Sequence, residues 1–86
     1  MADSFPPRDR ILGKLDGGGL PRKGPSKMYA GYGHGDWCTA CDRTITPDDI
    51  EYEMEFDDGV VHRMHRDCAD VWQAECERRG SYRTSA

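Results

Sequence analysis

Long hydrophobic runs are absent from this chain. Apolar residues make up 36% of it, and no cluster of them nears the length of a membrane-crossing helix. An apolar leader core is missing as well, because Met1–Arg10 carries prolines and mixed charge where one would sit. Together these predict a cytoplasmic, reducing location. No glycine-rich segment follows a strand pattern with Lys-Ser/Thr behind it, which excludes a phosphate loop. Basic character is scarce where folding is expected. Residues 37–79 hold five Arg against twelve Asp/Glu, whereas residues 1–36 hold six Lys/Arg against four Asp. An acidic domain repels phosphate, which disfavours nucleic acid as the main partner. The chain also lacks bulk: of its 86 residues, ten are glycine and five proline, most of them before Trp37. One small domain is all that this supports, and such a domain needs disulfides or a metal to offset its backbone entropy.

Four cysteines are present, and in a reducing location a C-x2-C pair reads as metal-binding before disulfide. Cys38 and Cys41 form such a pair, and after 23 intervening residues come His65 and Cys68. Three thiolates and an imidazole complete a tetrahedral set for one Zn2+. No coordination position is left for water, so the expected ion is structural rather than catalytic. A thiol redox pair is the competing reading. It normally puts its first cysteine at a helix N-terminus after a strand, whereas glycine-rich coil precedes Cys38. Cys76 lies eight residues beyond Cys68, about 12 Å along a helix, and reads as core. His65 is preferred to His62 as ligand, because the two are an odd number apart on a strand and face opposite sides. His34, between two glycines, reads as solvated.

Taken in order, the chain opens on a glycine- and proline-rich flexible arm, residues 1–36, with Ile11, Leu12 and Leu15 spaced for a short helix over 8–15. Gly17-Gly18-Gly19 stops it. Met28, Tyr29, Tyr32 and Trp37 are interleaved with glycine further on, placed either to lie across the domain or to meet a partner. The zinc-binding module is expected over residues 37–80. Thr46-Pro47-Asp48-Asp49 has the cap, first-position proline and acid of a single helical turn. Ile50, Tyr52, Met54 and Phe56 then alternate with Glu51, Glu53 and Glu55, the pattern of a half-buried strand with a wet acidic face. Asp57-Asp58-Gly59 marks a hairpin turn and Val60–Met64 the return strand; a three-residue loop puts Tyr52 opposite Met64 and Glu53 opposite Arg63, and a two-residue loop would shift that register by one. From about Asp67 to Arg79, Cys68, Val71, Trp72 and Cys76 form one apolar helical stripe, ended by Gly80. Residues 81–86 read as a disordered tail.

Knuckle, β-hairpin and C-terminal helix, with the last ligand in the helix's first turn, predict a small metal-stabilised α+β domain of the treble-clef zinc-finger type. Cys38, Cys41, His65 and Cys68 also resemble the first zinc unit of a LIM domain over roughly residues 37–79. The likeness stops at Val71, where a LIM domain starts its second ligand set. The chain further resembles a group of small uncharacterised bacterial proteins. They share the Leu20-Pro21 and Gly31–Gly35 features, C-x2-C, an Ile-Thr-Pro-type segment, an acidic alternating strand, and H-x2-C followed by Trp.

Three functional classes stay open on these residues. A non-enzymatic interaction adaptor, binding a protein and itself monomeric, is favoured by the acidic domain and the LIM-like order. A nucleic-acid-binding regulator would rest on Arg22, Lys23 and Lys27 beside Tyr29 and Tyr32. An enzyme or thiol redox protein would need an open metal position or a reactive thiol. Paired-carboxylate catalysis is not expected from the exposed glutamate row.

Overall fold

The computed structural model of the protein describes residues 5–80. Five elements follow one another: α1 (Arg8–Asp16), β1 (Lys27–Tyr32), β2 (Ile50–Glu55), β3 (Val61–His65) and α2 (Arg66–Arg78). The strands form one antiparallel sheet in the order β1-β2-β3. Two helices and a three-stranded sheet make a small α+β domain. Neither helix is long and apolar enough to cross a membrane.

The hairpin has the register of the three-residue loop, with Tyr52 opposite Met64 and Glu53 opposite Arg63. Phe56 N–H donates to Val60 O at 2.9 Å and Gly59 N–H to Phe56 O at 2.9 Å. Gly59 takes a φ of 88°, left-handed backbone that an L side chain would strain. Met54, Phe56 and Met64 are buried. The stripe on α2 is buried at Cys68, Trp72 and Cys76, and the edge of the Phe56 ring meets Trp72 at 6.3 Å between centroids. Thr46-Pro47-Asp48-Asp49 closes a tight turn in place of the expected helical one. Asp49 N–H donates to Thr46 O, and the Asp49 carboxylate accepts from both the N–H and the hydroxyl of Thr46 at 3.0 Å.

The arm expected over residues 1–36 is corrected by the fold, which uses this stretch from Arg8 onward. Ile11 and Leu15 on α1 are buried together with Leu20 and with Ala69, Trp72 and Cys76 of α2. Trp72 Nε1–H donates to Pro21 O at 2.8 Å. Further on, Ser26 N–H donates to Glu55 O, and β1 pairs along β2 from Lys27 opposite Glu55 to Tyr32 opposite Ile50. The physical reason is that a two-stranded hairpin cannot satisfy the outer backbone edge of β2 or cover the apolar face of α2. Strand β1 does the first, and α1 with Leu20 does the second. The expected boundary at residue 36 therefore does not separate an arm from a domain. Residues 81–86, expected as a tail, lie outside the described residues.

Candidate metal centre

Between β1 and β2 the chain makes a knuckle. Cys38 N–H donates to Arg43 O and Asp42 N–H donates back to Cys38 O, both at 2.9 Å, while Trp37 and Thr44 close the base as an isolated bridge. This tight turn forces Asp42 to a φ of 65°, unusual for a residue with a side chain. Helix α1 supports it from above. Lys14 Nζ donates to Asp42 Oδ1 at 2.6 Å and to Thr39 O at 2.7 Å, and Arg10 reaches Asp42 Oδ2 at 3.2 Å. The Lys14 hydrogen bond holds the Asp42 carboxyl below its usual range. On the opposite side, Thr39 N–H donates to Arg63 O at 2.9 Å, fixing the knuckle to β3.

That docking brings four side chains together. Cys38 and Cys41 come from the knuckle, His65 is the last residue of β3, and Cys68 stands in the first turn of α2. All four are buried, and their ligand atoms lie within 4.8 Å of one another. His65 Nδ1 is 3.4 Å from Cys41 Sγ and 3.9 Å from Cys68 Sγ, and the His65 backbone N–H donates to Cys38 Sγ at 3.4 Å. With Nδ1 turned to the sulfurs, Nε2 faces outward, 3.2 Å from Thr44 O and 3.4 Å from Asp49 Oδ2. A carbonyl and a carboxylate behind an imidazole fix its orientation and its tautomer, as they do for metal-bound histidines. The Phe5 ring meets His65 edge-on at 5.2 Å.

Three buried sulfurs in one cavity cannot share it as equals. The Cys68 thiol, donating to Cys38, holds Cys38 down to about 4 and is itself pushed well up by the same bond. Burial raises Cys41. The donors gathered here are three sulfurs and one imidazole nitrogen, and an ion bound among them would take the place of the thiol protons and neutralise the thiolates. A buried Cys3His set of this kind is able to hold one metal ion.

His62 stands apart from this group. Its Nδ1 lies 3.2 Å from Thr39 Oγ1, its ring meets Phe56 edge-on at 5.5 Å, and burial lowers its basicity. Cys76 is buried with its Sγ 3.8 Å from Pro21 O, and no disulfide joins any of the four cysteines.

Two residues differ from the sequence reading. Glu51, expected on the wet acidic face, is buried. His34 is exposed, as expected, yet a ring nitrogen of it lies within 4.8 Å of carboxylate oxygens of both Asp36 and Glu51. The cause is the loop after β1, which folds over the start of β2. Gly33 N–H donates to Asp49 O, Gly35 N–H to Ile45 O and Ile45 N–H to Asp36 O, at 2.8 to 3.0 Å. Gly-His-Gly-Asp is a signal for such a close loop only once the position of β1 beside β2 is known. No protein family, curated protein or solved structure matches this chain.

Proposed function

We propose that the protein is a zinc-stabilised interaction module of the treble-clef type, half of a LIM-like unit, whose partner is a protein that adds an extended segment to β1. Zinc is the reading of the buried Cys3His set because three soft thiolates with one imidazole suit a tetrahedral ion without redox chemistry. The order of knuckle, hairpin and helix, with ligands from each junction, supports the treble-clef assignment. Chelation tests it. Removing the metal should collapse amide chemical-shift dispersion across residues 38–76, because ligation energy in so small a domain is largely folding energy. Retained dispersion would show that the fold stands without metal.

The interaction reading is carried by one observation. Strand β1 is an edge with no strand on its outer side among the described residues, and all six of its residues are exposed. Met28, Tyr29 and Tyr32 are 47%, 51% and 68% exposed, and nearby Trp37 is 68% exposed. An edge strand offers its free backbone N–H and C=O groups to an added strand, and flanking aromatics are the side chains that anchor such contacts. Nucleic acid is disfavoured by how the cations are used. Arg8 pairs with Glu75, Arg10 and Lys14 with Asp42, Lys23 with Asp57, and Arg22 donates to Leu15 O. Selection of displayed peptides on the metal-loaded protein should enrich extended sequences whose binding protects β1 amides from exchange and is lost in Tyr29→Asp/Tyr32→Asp. Selected peptides that bind this double variant equally well would place the contact elsewhere. Micromolar oligonucleotide binding at 0.15 M salt would favour the regulator instead.

A further inference from the structure

We propose a second metal site at His34, Asp36 and Glu51, taking one divalent first-row transition ion through an imidazole nitrogen and two carboxylate oxygens. The ligand atoms of these three side chains lie within 4.8 Å of one another, on residues separate from the Cys3His group. An independent observation points to a missing ligand there. Glu51 has a side chain only 7% exposed, and its Oε1 is buried with no hydrogen-bond partner. A buried carboxylate oxygen without a donor is strongly disfavoured, and native structures supply such atoms with a proton donor or a cation.

The surrounding charges call for a dication. Arg63 is the one cationic side chain paired there among the described residues, with Nε 3.5 Å from Asp36 Oδ2 and 3.8 Å from Glu51 Oε2, and with Nη2 3.7 Å from Glu53 Oε1. One guanidinium among three carboxylates leaves two negative charges. Arg63 engages the Oε2 side of Glu51 and leaves Oε1 for the ion. The scaffold is held by backbone. Glu51 lies mid-sheet between Gly31 and His65, and Gly31 brings no side chain over it. His34 and Asp36 sit on the loop pinned by Gly33, Gly35 and Ile45. An imidazole beside two carboxylates suits zinc, nickel, cobalt or manganese, whereas calcium and magnesium take all-oxygen shells. His34 and Asp36 are exposed and Glu51 is buried, so three protein ligands leave coordination positions for water on the solvent side.

Manganese is the probe of choice, because it stands lowest in the divalent affinity order and does not displace zinc from thiolates. Mn2+ is added to the zinc-loaded full chain and amide resonances are followed. Broadening should be centred on Gly33–Asp36 and Glu51 and should weaken at least about tenfold in His34→Ala and in Glu51→Gln. The His34 side chain is exposed, so His34→Ala leaves the fold intact and decides the matter even if Glu51→Gln does not fold. Broadening centred on His62 or on other acidic residues would overturn the proposal. So would Mn2+ binding unchanged in His34→Ala, or no localised broadening at all.

Discussion

At the residue scale, single positions carry geometry that no substitute reproduces. Gly33 is the sharpest case. A Cβ built there would stand 2.3 Å from Thr46 O and 2.6 Å from Ile45 O, both backbone atoms that cannot swing aside. Gly33→Ala should therefore cost about 1–3 kcal/mol, the range for forced overpacking. The measurement is the urea midpoint of the metal-loaded protein, and a midpoint equal to wild type would mean that the loop lies off the β2 start. The four residues of the Cys3His group were legible from sequence because ligand chemistry dictates spacing. Two sulfurs on one turn need C-x2-C, and H-x2-C spans one strand-to-helix junction. Glu51 was not legible. Its alternation with Tyr52 correctly assigns it to the opposite face, but periodicity within β2 carries no information about what covers that face.

Among elements, the same division holds. The hairpin and α2 follow from local patterns, a strict alternation and a 3.6-residue stripe, and their register is fixed by which side chains must be buried. Strand β1 has no such pattern, because both of its faces are exposed. Its pairing is decided by backbone hydrogen bonds to β2, which any sequence free of proline can make. Helix α1 shows only Ile11, Leu12 and Leu15, too little for a stable helix alone, and it gains its order by packing on α2. Leu15, fully buried, reports on that docking. Leu15→Ala should destabilise the domain by about 2–5 kcal/mol, and Trp72→Ala by about 3–5 kcal/mol. Chemical denaturation of each variant provides the check. A cost below about 1 kcal/mol for Leu15→Ala would mean that α1 is detached, since that lies outside the range for a buried leucine.

Across the whole molecule, electrostatics tie the first helix to the last. Glu75 on α2 is buried and paired with Arg78, with Arg79 at 2.8 Å and with Arg8 of α1 at 3.6 Å; Arg79 also bonds Asp16 at 2.8 Å. The hydrogen bond from Arg78, followed by that from Arg79, brings the Glu75 carboxyl down to about 2. A carboxyl depressed in the folded state stabilises fully above its unfolded value, ~4.3, and that stability is lost as pH falls toward the folded value. The advantage of wild type over Glu75→Gln should therefore be constant near neutrality and shrink below about pH 4.5. The comparison runs from neutrality down to the lowest pH at which both proteins stay folded. A gap independent of pH would show that Glu75 contributes through packing alone. The same end-to-end architecture has a consequence for synthesis. Pro21 O receives its hydrogen bond from Trp72, 51 residues later. At ~5–20 residues per second, a ribosome takes roughly 3–10 s to cover that interval. For those seconds Ile11, Leu15 and Leu20 are nascent apolar side chains with no α2 to receive them, so a holdase chaperone has its clearest opportunity on this protein around Ile11–Leu20, before α2 has been made.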